Sequence, residues 1–266
     1  MVLFLFLTHL GLGIVFTLAF VSRDAGVKFF RFNAGLAALL IAIGFVFRPQ
    51  GDDAVPAAAR VALVSLACAE VAVVVYWATI GRTLASIRPA LAAIAVGGGL
   101  VAIVAQAIAA STDRAGAMQA LTVASFVSSA ALLGGACTAM VLGHWYLVIP
   151  SLQVSHLQSI VKLHMASMAV RVALVAATVW FAIGSAVLIQ PGPSFRHYIT
   201  SIDGIFFWQR VLFGLAGPAV LSYLTWETAK IRSTQSATGI LYVDFFTVVV
   251  GEVLAKYILL ATRVPV

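Results

Sequence analysis

Residues 118–144 read MQALTVASFVSSAALLGGACTAMVLGH, 27 residues without one Asp, Glu, Lys or Arg. A water-exposed helix needs a polar face, and this stretch offers none. About 20 apolar residues cross the roughly 30 Å hydrocarbon core of a bilayer as a helix, with every backbone group satisfied internally. The stretch therefore reads as a transmembrane helix.

The same texture recurs along the chain. Spans are predicted over residues 2–21, 33–47, 61–80, 89–110, 118–144, 157–189, 205–228 and 238–262. The expected fold class is an all-α integral membrane bundle of about eight transmembrane helices, forming one domain over residues 1–266. Composition agrees. Hydrophobic residues make up 62% and charged residues 9%, against about a quarter charged in soluble domains. Residues 1–22 lack a basic leader and have a longer apolar run than a signal peptide, so a retained first helix is expected.

The connectors carry stop signals: Arg48-Pro-Gln-Gly-Asp-Asp, Ser111-Thr-Asp-Arg and Gln190-Pro-Gly-Pro. Pro89 suits the first turn of a helix. Pro218, inside the seventh span, should kink that helix or free a carbonyl. Gly11, Gly13, Gly97 to Gly99, Gly134 and Gly135 should let helices approach closely.

The chain carries 16 Lys+Arg against nine Asp+Glu, a formal charge of +7. No basic run or aromatic RNA-binding motif accompanies this excess, so no nucleic-acid partner is expected. Basic residues at helix ends meet headgroups and set orientation. Connectors one, three, five and seven hold eight (Arg23, Lys28, Arg31, Arg82, Arg88, Lys162, Lys230, Arg232), against six in connectors two, four and six with the C-terminus (Arg48, Arg60, Arg114, Arg196, Arg210, Arg263). The positive-inside rule then leans toward both termini on the non-cytoplasmic side. Cys68 and Cys137 form no CxxC pair. No iron–sulfur cluster, structural metal or CxxCH-type covalent haem is expected in this chain, and no disulfide.

Ionisable residues inside spans are costly and face a bundle interior, a cavity or each other. The set is His9, Glu70, His164, Arg171, Asp244, Glu252 and Lys256. Glu70 and Arg171 fall at similar depth and could pair, either as a buried structural ion pair or with Glu70 as a proton relay. Glu252 and Lys256 are four apart and share a helix face; Glu252 is a second relay candidate. The densest constellation is Gly143-His144-Trp145-Tyr146-Leu147, followed by His156, Lys162 and His164. A hairpin of spans five and six would gather His144, Tyr146, His164 and Arg171 around one mouth of the bundle. Two chemistries use such a set. A quinone head needs donors to its carbonyls and a proton route. A b-type haem needs axial histidines on facing helices, for which His144 and His164 are the candidates. The competing expectation is aromatic and histidine anchoring at the headgroups. The polar run from Trp226 to Tyr242 reads as a connector able to dock a soluble partner or cap a quinone pocket.

One family comparison follows from the Ser233-Thr-Gln-Ser-Ala-Thr-Gly-Ile-Leu-Tyr run, then Gly251-Glu252 and Lys256-Tyr257, taken with the eight-span layout. These features resemble the membrane anchors of respiratory molybdoenzymes, of the dimethyl-sulfoxide-reductase anchor and polysulfide-reductase membrane-subunit type. The Gly143–Leu147 run lies outside the resemblance. The resemblance implies a quinone-interacting subunit of a respiratory electron-transfer complex in a bacterial inner membrane. It implies iron–sulfur or other redox partner subunits, and generally no haem in the anchor. The chain would then be a quinone-site or non-catalytic subunit of an oxidoreductase. The alternatives from other classes are a small-solute or ion transporter, with Glu70, Arg171 and Glu252 lining a pathway, and a purely structural membrane subunit.

Overall fold

The computed structural model describes residues 1–49, 56–82, 85–112, 116–149, 153–185 and 194–266. The described residues are mostly helical, with no strand among them. In order they form α1 (Val2–Leu18), α2 (Gly26–Val46), α3 (Ala57–Thr79), α4 (Arg88–Ala110), α5 (Ala117–Val148), α6 (Val154–Gly184), short α7 (Phe195–Thr200), α8 (Ile205–Val211), α9 (Gly217–Lys230) and α10 (Thr234–Thr262). A π-helical turn, Leu212–Ala216, joins α8 to α9, so that Ile202–Lys230 runs as one span. Among the described residues seven helices are long and apolar enough to cross a bilayer, and α1 is a shorter apolar helix. The all-α membrane bundle is thus the fold.

The uncharged stretch that opened the reading lies in the middle of it. Of the apolar window in α5, 78% is buried inside the protein, against 28% for α3 and for α6. A helix enclosed on all sides has no room for charge, which is why residues 118–144 have none. α5 packs against α1, α4, α6 and α10, while α3 and α4 form an outer hairpin.

Close backbone approach sets two of these packings. A Cβ on Gly13 would sit 2.0 Å from the Ala130 carbonyl oxygen, and one on Gly134 equally close to Gly13 backbone. α1 therefore rests directly on α5, with Thr17 Oγ1 hydrogen-bonded to Thr138 at 2.6 Å across the seam. Gly214, in the π turn, meets Gly251 of α10 in the same way, a Cβ on either falling within 2.4 Å of the other's Cα. That contact draws α8 onto α10.

Several predicted boundaries change. α2 begins seven residues earlier than expected, at Gly26, because Ser22 caps a 3-10 turn that leads straight into it. α5 runs on to Val148 and α6 starts at Val154. The Trp226–Tyr242 run is not a connector. Trp226 to Lys230 end α9, Arg232 takes a left-handed turn at φ 60°, and Thr234 already starts α10. Ala237, Thr238 and Leu241 are buried there, the last two against Gly143 of α5. The Gln190-Pro-Gly-Pro break, and most of the stop signals after Arg48 and Ser111, lie outside the described residues.

With successive spans antiparallel, the α1–α2, α3–α4, α5–α6 and α9–α10 turns share one face, here the near face. His156 Nε2 lies 3.1 Å from Asp24 Oδ2, tying the first of these turns to the third. Lys162 and Lys230 both stand over the Trp226 ring, at 4.9 and 5.3 Å. Cation and aromatic together mark the interface level.

Candidate functional site

α10 keeps three polar residues on one side: Asp244, Glu252 and Lys256, with apolar Val248 between the first two, recur at four-residue spacing, the repeat of a single helix face. All four are buried. Asp244 lies ten residues along α10, about 15 Å from its near-face end, and Glu252 about 12 Å further. The bundle interior therefore holds two polar layers.

The deeper layer centres on Glu252. Its Oε1 accepts from Arg171 Nε at 3.0 Å and from Arg210 Nη2 at 2.8 Å. Its Oε2 accepts from Arg171 Nη2 at 3.2 Å, Lys256 Nζ at 3.2 Å and Ser129 Oγ at 2.5 Å. Lys256 also bonds Ser129 Oγ. Arg171, Arg210, Lys256 and Glu252 are each no more than 2% exposed. Three basic side chains thus surround one carboxylate at mid-bundle. Neutral dipoles share the surplus. Arg171 Nη1 donates to Ser125 Oγ (2.6 Å) and to the Ser125 carbonyl (3.1 Å), and Nη2 to the Val266 main-chain oxygen (3.3 Å). His9, fully buried, faces Ser129 Oγ at 3.4 Å and packs edge-on against Phe126.

Arg210 shows how local sequence builds the site. Proline has no N–H, so Pro218 cannot serve the carbonyl four residues back, that of Gly214. The helix widens into the π turn just before it. Arg210 Nη1 donates to that Gly214 oxygen at 2.6 Å while Nη2 reaches Glu252. The freed carbonyl expected from Pro218 is therefore used to aim a buried arginine.

The shallower layer is a pair. His164 Nε2 lies 2.7 Å from Asp244 Oδ2, and both side chains are fully buried. The contact is close without being an aligned hydrogen bond. His164 Nδ1 and Asp244 Oδ1 have no hydrogen-bond partner among the described residues. Gly135 of α5 provides the room for the imidazole, 3.4 Å from where its Cβ would stand.

Outside this pair, on the exposed surface of α5 and α10, His144 Nδ1 is 3.1 Å from the Tyr242 hydroxyl. Tyr242 is 46% exposed and lies two residues from Asp244. The same helices thus carry an accessible His–Tyr pair and, deeper in the bundle, a buried His–Asp pair.

The single mouth expected from His144, Tyr146, His164 and Arg171 is not formed. Tyr146 is buried, and its hydroxyl is committed to the α5–α6 turn, donating to the Gln153 carbonyl and accepting from Leu157 N–H at 3.2 Å. His164 sits beside Gly135, nine residues and about 13 Å along α5 from His144. As His144 faces outward, the two histidines do not make a facing pair for haem. The expected Glu70–Arg171 pair is replaced by Arg171–Glu252. Glu70 is half-buried on α3, and its Oε2 has no hydrogen-bond partner among the described residues. The Glu252–Lys256 pair forms as the spacing implied, but deep in the bundle. Arg210, counted among connector residues, is buried at the centre. Among the described residues no group of three His, Cys, Asp or Glu could hold a metal ion, and Cys68 and Cys137 are unpaired.

Compared with known proteins, the chain matches no family model and no curated protein.

Proposed function

We propose that this integral membrane protein is the quinone-interacting subunit of a multi-subunit respiratory electron-transfer complex, and that its interior handles the protons of quinone turnover. One observation carries the reading: α5, α6 and α10 bear an exposed His144–Tyr242 pair and, deeper in the bundle and about 13 Å along α5 from His144, a buried His164–Asp244 pair. A lipid-borne quinone approaches from the hydrocarbon side near the interface. His144 and Tyr242 offer it two neighbouring groups able to donate to a carbonyl. His164 and Asp244 lie behind them as groups that can accept and release protons, and Glu252, Lys256 and His9 continue the ionisable set toward mid-membrane. Quinone reduction takes up two electrons and two protons. This chain supplies positions for the protons, and an iron–sulfur or other redox partner supplies the electrons. Moving Arg210 from connector to core leaves eight basic residues toward the near face against five toward the opposite face, a difference that supports a cytoplasmic near face.

The test is purification of the native assembly followed by quinone-linked turnover. The reading expects an iron–sulfur protein to co-purify, extractable quinone, and at least a tenfold loss of turnover in His144→Phe/Tyr242→Phe at unchanged subunit content. An isolated chain without quinone, or a double variant with full turnover, overturns it. A second reading, transport of an anionic solute, is favoured by the three basic side chains around one carboxylate. Solute uptake by vesicles holding only this chain would decide for it.

A further inference from the structure

A cleft of about 520 Å³ opens on the outer surface between α2 and α3, far from the charged interior. Its rim carries Lys28 and Arg31, in the first turns of α2 at the near face. Its wall is apolar and runs inward over Leu36 and Leu39, the latter about 16 Å along the helix from Lys28. The other wall is Trp77. Gly35 lets the indole lie against α2, since a Cβ there would stand 2.7 Å from Trp77 Nε1. Arg31 is held over the indole ring, its Cζ 5.8 Å from the centroid. Neither Lys28 nor Arg31 forms an ion pair with a carboxylate among the described residues. The nearest acid in sequence, Asp24, is engaged by His156 and Ser22. Two cations with no carboxylate partner among the described residues therefore sit at headgroup level above an apolar groove that can take an acyl chain.

We propose that this cleft binds an anionic phospholipid, its phosphate held by Lys28 and Arg31 and one acyl chain lying along Leu36 and Leu39. Basic pockets between transmembrane helices suit such headgroups, and the guanidinium and indole walls fix the height at which the phosphate rests. The site is independent of the quinone reading, and the lipid would not enter the reaction.

The experiment is native mass spectrometry of the full-length protein, released from detergent with phosphatidylglycerol or with phosphatidylcholine of the same acyl chains. The expected result is a retained phosphatidylglycerol. Its affinity should be about thirty-fold lower in Lys28→Gln/Arg31→Gln, as expected for two near-surface cations. The control Arg60→Gln/Arg263→Gln removes the same charge at exposed positions away from the cleft and should retain the lipid. Equal loss in both variants, equal retention of phosphatidylcholine, or displacement by millimolar inorganic phosphate would each overturn the proposal. Both variants should elute as wild type does in size exclusion, since all four side chains are at least partly exposed.

Discussion

Replacing Glu252 with Gln keeps the shape of the side chain and one acceptor oxygen but removes the only carboxylate in the deeper layer among the described residues. Arg171, Arg210 and Lys256, all within 3.2 Å of it, are left facing one another. At an effective dielectric near 20, each contact at about 3 Å represents roughly 5 kcal/mol of gross attraction. Desolvation and repulsion among the cations cancel much of that sum. Breaking one buried pair costs about 3–5 kcal/mol net, and this variant breaks three at once, so the upper end applies. Total stability of a domain is only about 5–15 kcal/mol. For a chain of this size a loss near 5 kcal/mol lowers the melting temperature by roughly 10–20 °C. The assay is a thermal melt of the detergent-purified protein followed by tryptophan fluorescence. Adding Lys256→Met should recover part of the loss, because one stranded charge is removed. If Glu252→Gln melted within about 2 °C of wild type, or the double variant melted lower still, the carboxylate would not be the keystone of the layer.

Four further outcomes follow from the same geometry. Gly251→Ala should cost about 1–3 kcal/mol, as overpacking does, because its Cβ would meet Gly214 backbone; Gly97→Ala, with open space around it, should melt at or slightly above wild type. Tyr146→Phe removes one of the two donors to the Gln153 carbonyl, which keeps the His156 N–H at 3.1 Å, and takes the hydroxyl acceptor from the Leu157 N–H, so it should cost roughly 1–3 kcal/mol in the same melt. Its quinone turnover per folded molecule should stay normal, because Tyr146 braces a turn and lies outside the proposed quinone contact. Asp244→Asn should leave the assembled complex intact but slow quinone turnover at least tenfold, measured with a soluble electron donor and a short-chain quinone. Glu70→Gln, outside both layers, should keep turnover within twofold of wild type.

The fold was legible because lipid imposes a coarse code. Any stretch near 20 residues without charge has one solvent available to it, and residues 118–144 carry that message plainly. Boundaries were less legible. Helices such as α5 and α6 run beyond the hydrocarbon thickness, so hydropathy falls off before the helix ends, and His164 consequently lies deeper than its place near the turn implied. Partner choice was the hardest to read. Glu70 and Glu252 are both isolated carboxylates in apolar surroundings, and only the packing of α10 on α5 decides which meets Arg171. Arg210 was hidden by its position near the start of a span, where arginine ordinarily snorkels to the headgroups. The signal for it lay further on, in Gly214 and Pro218, which loosen the helix and free the carbonyl that Arg210 takes. Ser125, Ser128 and Ser129 gave a second signal, three hydroxyls at helical spacing on one face of an otherwise apolar helix.

The central claim is that a quinone meets this chain at His144 and Tyr242, with the His164–Asp244 pair behind them. Photolabelling native membranes with a photoreactive short-chain quinone, then mapping the adduct by peptide mass spectrometry, tests it most directly. The account predicts labelling of the α5 and α10 peptides that contain His144 and Tyr242, suppressed by excess natural quinone and lost in His144→Phe/Tyr242→Phe. Labelling confined to other helices, or unchanged in that double variant, would contradict it.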